Sequence, residues 1–143
     1  MGNTPTENEN PLWRFENKAS WLLDDSQNEM TWISGDNAYI MKLTSKVPKL
    51  IKKQIHALFS KLVSKEQYKD ALWAIHPGGK AIIDGIQESL KLSHKDTQES
   101  RDVLNDYGNM SSPTILFVLK QLAQKRHEKK WTFALGLAGL SIE

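Results

Sequence analysis

Trp73-Ala74-Ile75-His76-Pro77-Gly78-Gly79 is the stretch that organises this chain. An apolar run stops at a histidine. A proline and two glycines follow, and then Ala81, Ile82, Ile86 and Leu90 recur at helical spacing. The pattern predicts a strand over 71–75, a special turn, and a helix over about 80–92. An imidazole then stands at the carboxyl end of a buried strand, where open α/β sheets hold their ligands. Gly78 and Gly79 allow the backbone to approach another group closely.

Working outward, the clearest helix precedes this stretch. Leu50, Ile51, Ile55, Leu58, Phe59 and Leu62 form one stripe over 47–63, and Pro48 suits a first turn. Lys49, Lys52, Lys53 and Lys61 lie on the other side and read as a solvated face; His56 falls at the boundary. Earlier still, residues 29–43 carry two apolar runs broken by Ser34-Gly35-Asp36-Asn37, which predicts two short strands joined by a turn. Residues 1–11 read as a flexible polar lead, and residues 12–143 as one domain. The lead includes Gly2 and Thr6, a formal myristoylation match best read as chance.

Beyond the organising stretch, residues 91–95 read as a linker. Asp96 with Glu99 looks like a capping box that opens a helix to Asp106. Tyr107-Gly108-Asn109-Met110-Ser111-Ser112-Pro113 is a second special turn, with Gly108 ending one helix and Ser112 capping the next. Ile115, Leu116, Val118, Leu119, Leu122 and Ala123 predict an apolar, buried helix. Residues 124–130, with His127, form a hydrophilic loop. Trp131 onward reads as a buried strand, a turn at 136–139 and the start of another strand. Strands alternating with amphipathic helices give an α/β layered fold.

Composition narrows the function. The 143 residues carry a net charge of +2, which implies no nucleic-acid partner and no anionic membrane. No stretch reaches 18 consecutive apolar residues, and no charged-then-apolar leader is visible, so a cytoplasmic protein is expected. There is no cysteine, which excludes disulfides, thiolate metal sites and a cysteine nucleophile from these residues. No second histidine or carboxylate lies at metal spacing from His76, so no metal is expected. Gly78-Gly79 lacks the spacing of a dinucleotide loop, and no serine sits in a nucleophile elbow. What remains is His76 and Asn109, each on a tight turn that opens a helix. An imidazole N–H and an amide N–H can both donate to a developing oxyanion. On spacing alone this stands beside a structural reading, with His76 a capped core histidine and Asn109 a left-handed turn residue.

Residues 73–84, Trp-Ala-Ile-His-Pro-Gly-Gly-Lys-Ala-Ile-Ile-Asp, resemble the histidine motif of the chalcone and stilbene synthases, the type III polyketide synthases. Tyr107-Gly108-Asn109-Met110-Ser111-Ser112 resembles their asparagine motif. Val47-Pro48, Ser100-Arg101-Asp102-Val103-Leu104 and the closing Gly139-Leu140-Ser141-Ile142-Glu143 also fit, so the resemblance covers roughly 12–143. It implies the C-terminal half of a thiolase-like fold, a mixed sheet layered with helices. It implies His76 and Asn109 as catalytic residues that bind the thioester carbonyl of malonyl-CoA during decarboxylation. By the same resemblance, His76 also stabilises a thiolate as an ion pair. Pro77, Gly78, Gly79, Gly108 and Gly139 support the turns, and Trp32, Met41 and Ser111 line the substrate pocket. Met41 falls where many members carry a phenylalanine, and Trp32 where many carry a small residue. The terminal turn Gly136-Leu137-Ala138-Gly139 lacks the family's proline. The implied substrates are CoA thioesters, with no cofactor. The implied partners are an N-terminal half bearing the nucleophilic cysteine and, for complete subunits, a homodimer. The ketoacyl-carrier-protein synthases share the histidine and asparagine, but the wording Gly-Asn-Met-Ser-Ser sits closer to the chalcone synthase side. With no cysteine, these residues alone are expected to be inactive, and an inactive thiolase-fold fragment acting as a protein-interaction module is the alternative.

Overall fold

Alternation along residues 71–75 sets the layers of the molecule. In the computed structural model, described for residues 4, 6–23, 26–124, 129, 131–136 and 140–142, the strands β1 (Met30–Ser34) and β2 (Tyr39–Leu43) come first. The helices α1 (Val47–Leu62) and α2 (Lys65–Lys69) follow. Then come β3 (Ala71–Ile75), α3 (Lys80–Ser89), a 3-10 turn (Lys95–Thr97), α4 (Gln98–Tyr107) and α5 (Thr114–Gln124). The strands β4 (Trp131–Leu135) and β5 (Leu140–Ile142) close the order. β3 and β4 pair in parallel, with Ile75 opposite Leu135.

Successive side chains of a strand point to opposite faces. Ala71, Trp73 and Ile75 therefore meet Ile51, Ile55 and Phe59 of α1 and Ile82, Ile86 and Leu90 in and after α3. Ala74 and Leu72 face the other way, onto Val103 of α4 and Val118 and Leu122 of α5. The β3–β4 sheet is thus the middle of three layers. Burial on both faces is why β3 reads as an unbroken apolar run rather than an alternating one. Four aromatic rings, from Phe59, Tyr68, Trp73 and Phe133, fill the α1 side, with centroids 5.1–5.6 Å apart.

A second sheet has the order β2-β1-β5. β1 and β2 pair antiparallel with Trp32 opposite Met41, and β5 adds in parallel to β1. Thr31 is buried, while Trp32, Ile33, Tyr39, Ile40, Met41 and Leu43 are exposed.

The structure corrects several expectations. Residues 65–69 form a further helix; Ser64 caps it, its hydroxyl accepting from Gln67 N–H while Gln67 Oε1 accepts from Ser64 N–H. Asp96 does not open a capping box with Glu99. It bonds with Ser93 instead, whose N–H and Oγ–H both donate to Asp96 Oδ2 at 2.9 and 2.6 Å, and it lies within the 3-10 turn rather than at the start of α4. α5 is not buried all round: Val118 and Leu122 face the core, but Leu116 and Phe117 are 54% and 38% exposed. β4 is only half-buried, and among the described residues β3 is the one strand that pairs with it. Ser112 is not the residue just before α5, which starts at Thr114; the Thr114 hydroxyl bonds back into the preceding turn, accepting from Met110 N–H and donating to Ser111 O. Residues 6–23 contain no helix or strand among those described, and Trp13, Phe15 and Trp21 are exposed. Gly2, His127 and Gly139 lie outside the described residues.

Candidate active site

His76 is the first residue past β3, and backbone geometry fixes how it leaves the strand. Its N–H donates to Leu135 O of β4 at 2.8 Å, and its carbonyl accepts from Gly78 N–H at 2.9 Å. That second bond wraps the chain tightly around Pro77, whose ring holds φ near −65°. The histidine is 8% exposed. Burial disfavours the charged imidazolium and holds its pKa below the ordinary 6.5. Near neutral pH the ring is therefore neutral, with one N–H to donate and one nitrogen to accept. Gly78 lies against this ring. A Cβ there would come 3.5 Å from His76 Cδ2 and 3.7 Å from Nε2, ordinary contacts that would nonetheless occupy the space beside the nitrogen.

The second turn approaches from the α4–α5 side. α4 ends at Gly108, with φ 69° and ψ −163°, a combination that side chains other than glycine's resist. Asn109 follows, exposed, and its amide is held at both ends. Oδ1 accepts from Ser111 N–H at 2.9 Å, and Nδ2 donates to Gly78 O at 3.4 Å. The asparagine turn is thus tied to the histidine turn across 31 residues of sequence. One Nδ2–H remains for a ligand. Ser111 holds φ at 64°, uncommon for a residue with a side chain. Thr114 fixes this turn from within the core: fully buried, it accepts from Met110 N–H at 2.9 Å and donates to Ser111 O at 2.6 Å.

Trp32 and Met41 face each other across β1 and β2, in the sheet that does not carry His76. Both are exposed, as is Ser111. Pro77 is buried, and Gly78 and Gly79 are half-buried. Supporting groups that sequence reasoning missed lie on α3 and α4. Arg101 donates from Nη2 to Asp84 Oδ1 at 2.7 Å and to Gln87 Oε1 at 2.8 Å, and from Nε to Thr97 Oγ1 at 3.0 Å. Lys80 Nζ reaches Asp84 Oδ2 at 2.6 Å. Hydrogen bonds from Lys80 and Arg101 hold the Asp84 carboxyl below its ordinary 3.8. The only signal available was the charge pattern Lys80-x-x-x-Asp84 on one helix face. Among the described residues no group of three or more histidines and carboxylates could hold a metal, and no helix is long and apolar enough to cross a membrane. A neutral imidazole and an asparagine amide on neighbouring turns, both able to donate, suit the polarisation of a carbonyl oxygen.

Comparison with known proteins adds to this geometry. Residues 17–140 match the family described as chalcone and stilbene synthases, C-terminal domain. Type III polyketide synthase C of Arabidopsis thaliana is 33% identical over 155 residues; the alignment covers all of this chain and 40% of that protein. The chain thus spans about two fifths of the length of this relative. The crystal structure of PKS-I from the brown alga Ectocarpus siliculosus superposes with a TM-score of 0.67 at 33% identity, covering 73% of this chain and 28% of that one. The structure of CsyB complexed with CoA-SH gives a TM-score of 0.68 at 26% identity, covering 76% of this chain and 32% of that one. The α/β layers described above are those of the thiolase-like fold of type III polyketide synthases. The chain belongs to the chalcone and stilbene synthase family, of which it carries the C-terminal domain.

Proposed function

We propose that this chain is the C-terminal catalytic half of a type III polyketide synthase-like acyltransferase, which condenses malonyl-CoA with an acyl thioester. The observation that carries this reading is the bond from Asn109 Nδ2 to Gly78 O, which brings the asparagine beside the turn that holds His76. A malonyl thioester carbonyl between the two would accept from the imidazole N–H and the free amide N–H. As the malonyl carboxylate leaves as carbon dioxide, its bonding electrons pass to an enolate whose oxygen takes up the negative charge. Donors already in place there need no reorganisation, and each is worth roughly 2.7–4 kcal/mol of barrier. The enolate carbon then attacks an acyl group held on a cysteine, expelling the thiolate.

The sequence contains no cysteine, so the nucleophile comes from outside these 143 residues. The extra length of the relatives supports a second, N-terminal half as its source. A thiolate brought against His76 would favour the imidazolium, against the pull of burial. The CoA bound in CsyB supports CoA thioesters as the substrate class. Trp32 and Met41 are proposed to line the acyl pocket once the halves meet. The test is reconstitution: mix this chain with a cysteine-bearing N-terminal half and measure carbon dioxide release from malonyl-CoA. The mixture should exceed the sum of the separate halves, and a rate equal to that sum contradicts the proposal. The exposure of Leu116, Phe117 and the β1–β2 side chains favours a second reading, an inactive interaction module. That reading is supported if a complex forms with the N-terminal half and no carbon dioxide is released.

A further inference from the structure

In a parallel pair the bonds from one strand to its neighbour recur at every second residue, so consecutive N–H groups point to opposite edges. The His76 N–H points to β4, where Leu135 O accepts it. The Ile75 N–H therefore points to the opposite edge of β3. Among the described residues no strand pairs with that edge. Ile75 is 0% exposed, so water does not serve it, and a buried amide without an acceptor is costly. The acceptor is Ser100 Oγ, 3.1 Å away and 25 residues on in the sequence. Ser100 sits in the first turn of α4 and is itself 0% exposed. The next residue, Arg101, grips the chain on the far side of the turn through Asp84 in α3. α4 thus holds the polypeptide one residue before His76 and eight residues after it.

We infer that Ser100 is a positioning residue for His76: its hydroxyl anchors the last peptide of β3 and so sets the direction in which the imidazole leaves the strand toward Asn109. This rests on the reading above, in which His76 touches the substrate. Ser100 itself does not touch it. A threonine keeps the acceptor and an alanine removes it. A cysteine keeps the size but accepts weakly.

The test uses the isotopically labelled chain and needs no activity. Two readouts are followed: hydrogen exchange of the Ile75 amide relative to that of Ala74, whose N–H faces β4, and the imidazole nitrogen signals of His76. In Ser100→Ala the Ile75 amide should exchange about 10-fold faster relative to Ala74, equivalent to about 1.4 kcal/mol, and the imidazole signals should move. Ser100→Thr should restore both. Val103→Ala removes a neighbouring core group from the same helix and should leave both ratio and signals as in the parent chain. If Ser100→Ala does not fold, Ser100→Cys should show the same changes to a smaller degree. The inference is overturned if the Ser100 variants leave both readouts unchanged, or if Val103→Ala moves them equally. Carbon dioxide release by the unmodified, reconstituted protein is scored separately. If it is absent while the nuclear magnetic resonance changes occur, the proposed function fails and the Ser100–His76 linkage stands.

Discussion

Trp73 offers the sharpest stability test, because it sits in the strand that delivers His76 and is 2% exposed. Its ring touches three others: Tyr68 at 5.1 Å, Phe133 at 5.2 Å and Phe59 at 5.3 Å between centroids. Emptying such a site costs about 3–5 kcal/mol through lost transfer energy and the cavity left behind. Each aromatic pair contributes about 0.5–1.5 kcal/mol of that beyond its area. A domain of ordinary stability holds about 5–15 kcal/mol, so Trp73→Ala should remove a large share. In urea, with a slope of about 1–3 kcal/mol per molar, the midpoint should fall by at least about 1 M. Far-ultraviolet circular dichroism is the better probe, because five tryptophans would blur fluorescence. Trp73→Phe, which keeps a ring in the cluster, should lose roughly 1–2 kcal/mol. A double-mutant cycle with Phe59→Leu should return a coupling of about 0.5–1.5 kcal/mol. A loss below about 1 kcal/mol for Trp73→Ala, or strict additivity in the cycle, would refute the packing described for the α1 face.

Three further outcomes are expected. Gly108→Ala should lower thermal stability by about 1–3 kcal/mol through backbone strain alone, since φ is 69° and a Cβ there meets nothing within 4 Å; an unchanged melting temperature contradicts it. His76 has its folded pKa held below 6.5 by burial. As pH falls through 6.5 the unfolded chain takes the proton first, so stability should drop by at most about 1.4 kcal/mol per pH unit, levelling off below the folded pKa. Urea midpoints from pH 8 to 5 should show this drop in the parent chain and not in His76→Gln. Asp84 has its folded pKa lowered by Lys80 and Arg101. Its contribution is present above pH 3.8 and lost as pH falls from there toward the folded pKa. Asp84→Asn should therefore flatten the acid limb of the stability profile, and an unaltered limb contradicts the network.

β3 and the helices that flank it were legible because their periodicities are unambiguous: a short apolar run ending in His-Pro-Gly-Gly, and stripes at three and four residues around it. Gly108 was legible as a helix end for the same kind of reason, since its backbone angles favour glycine. The helix at 65–69 was missed because five residues are too few for a periodic stripe, and its one cue was Ser64 with Gln67. Around Asp96 two capping patterns overlap, Ser93 with Asp96 and Asp96 with Glu99, and spacing alone does not choose between them. α5 misled through composition. Its apolar residues run all the way round, yet only the side with Thr114, Val118 and Leu122 meets the core of this chain. The hydroxyls of Ser100 and Thr114 gave no signal, because their work is done across the fold: a buried serine inside a helix looks like any other until the amide it serves, 25 residues away, is known. His76 and Asn109 were each visible as turn residues, and what the sequence could not supply was the 3.4 Å bond that ties one turn to the other.

The central claim is that His76 and Asn109 act together on a thioester oxygen. The most direct measurement is the rate of carbon dioxide release from malonyl-CoA by this chain assembled with a cysteine-bearing N-terminal half, for the parent and for His76→Ala, Asn109→Ala and the exposed control Lys49→Ala. Loss of either oxyanion donor should lower the rate by about 10²–10³-fold, with the control unchanged. A rate in His76→Ala and Asn109→Ala equal to that of the parent would contradict the account.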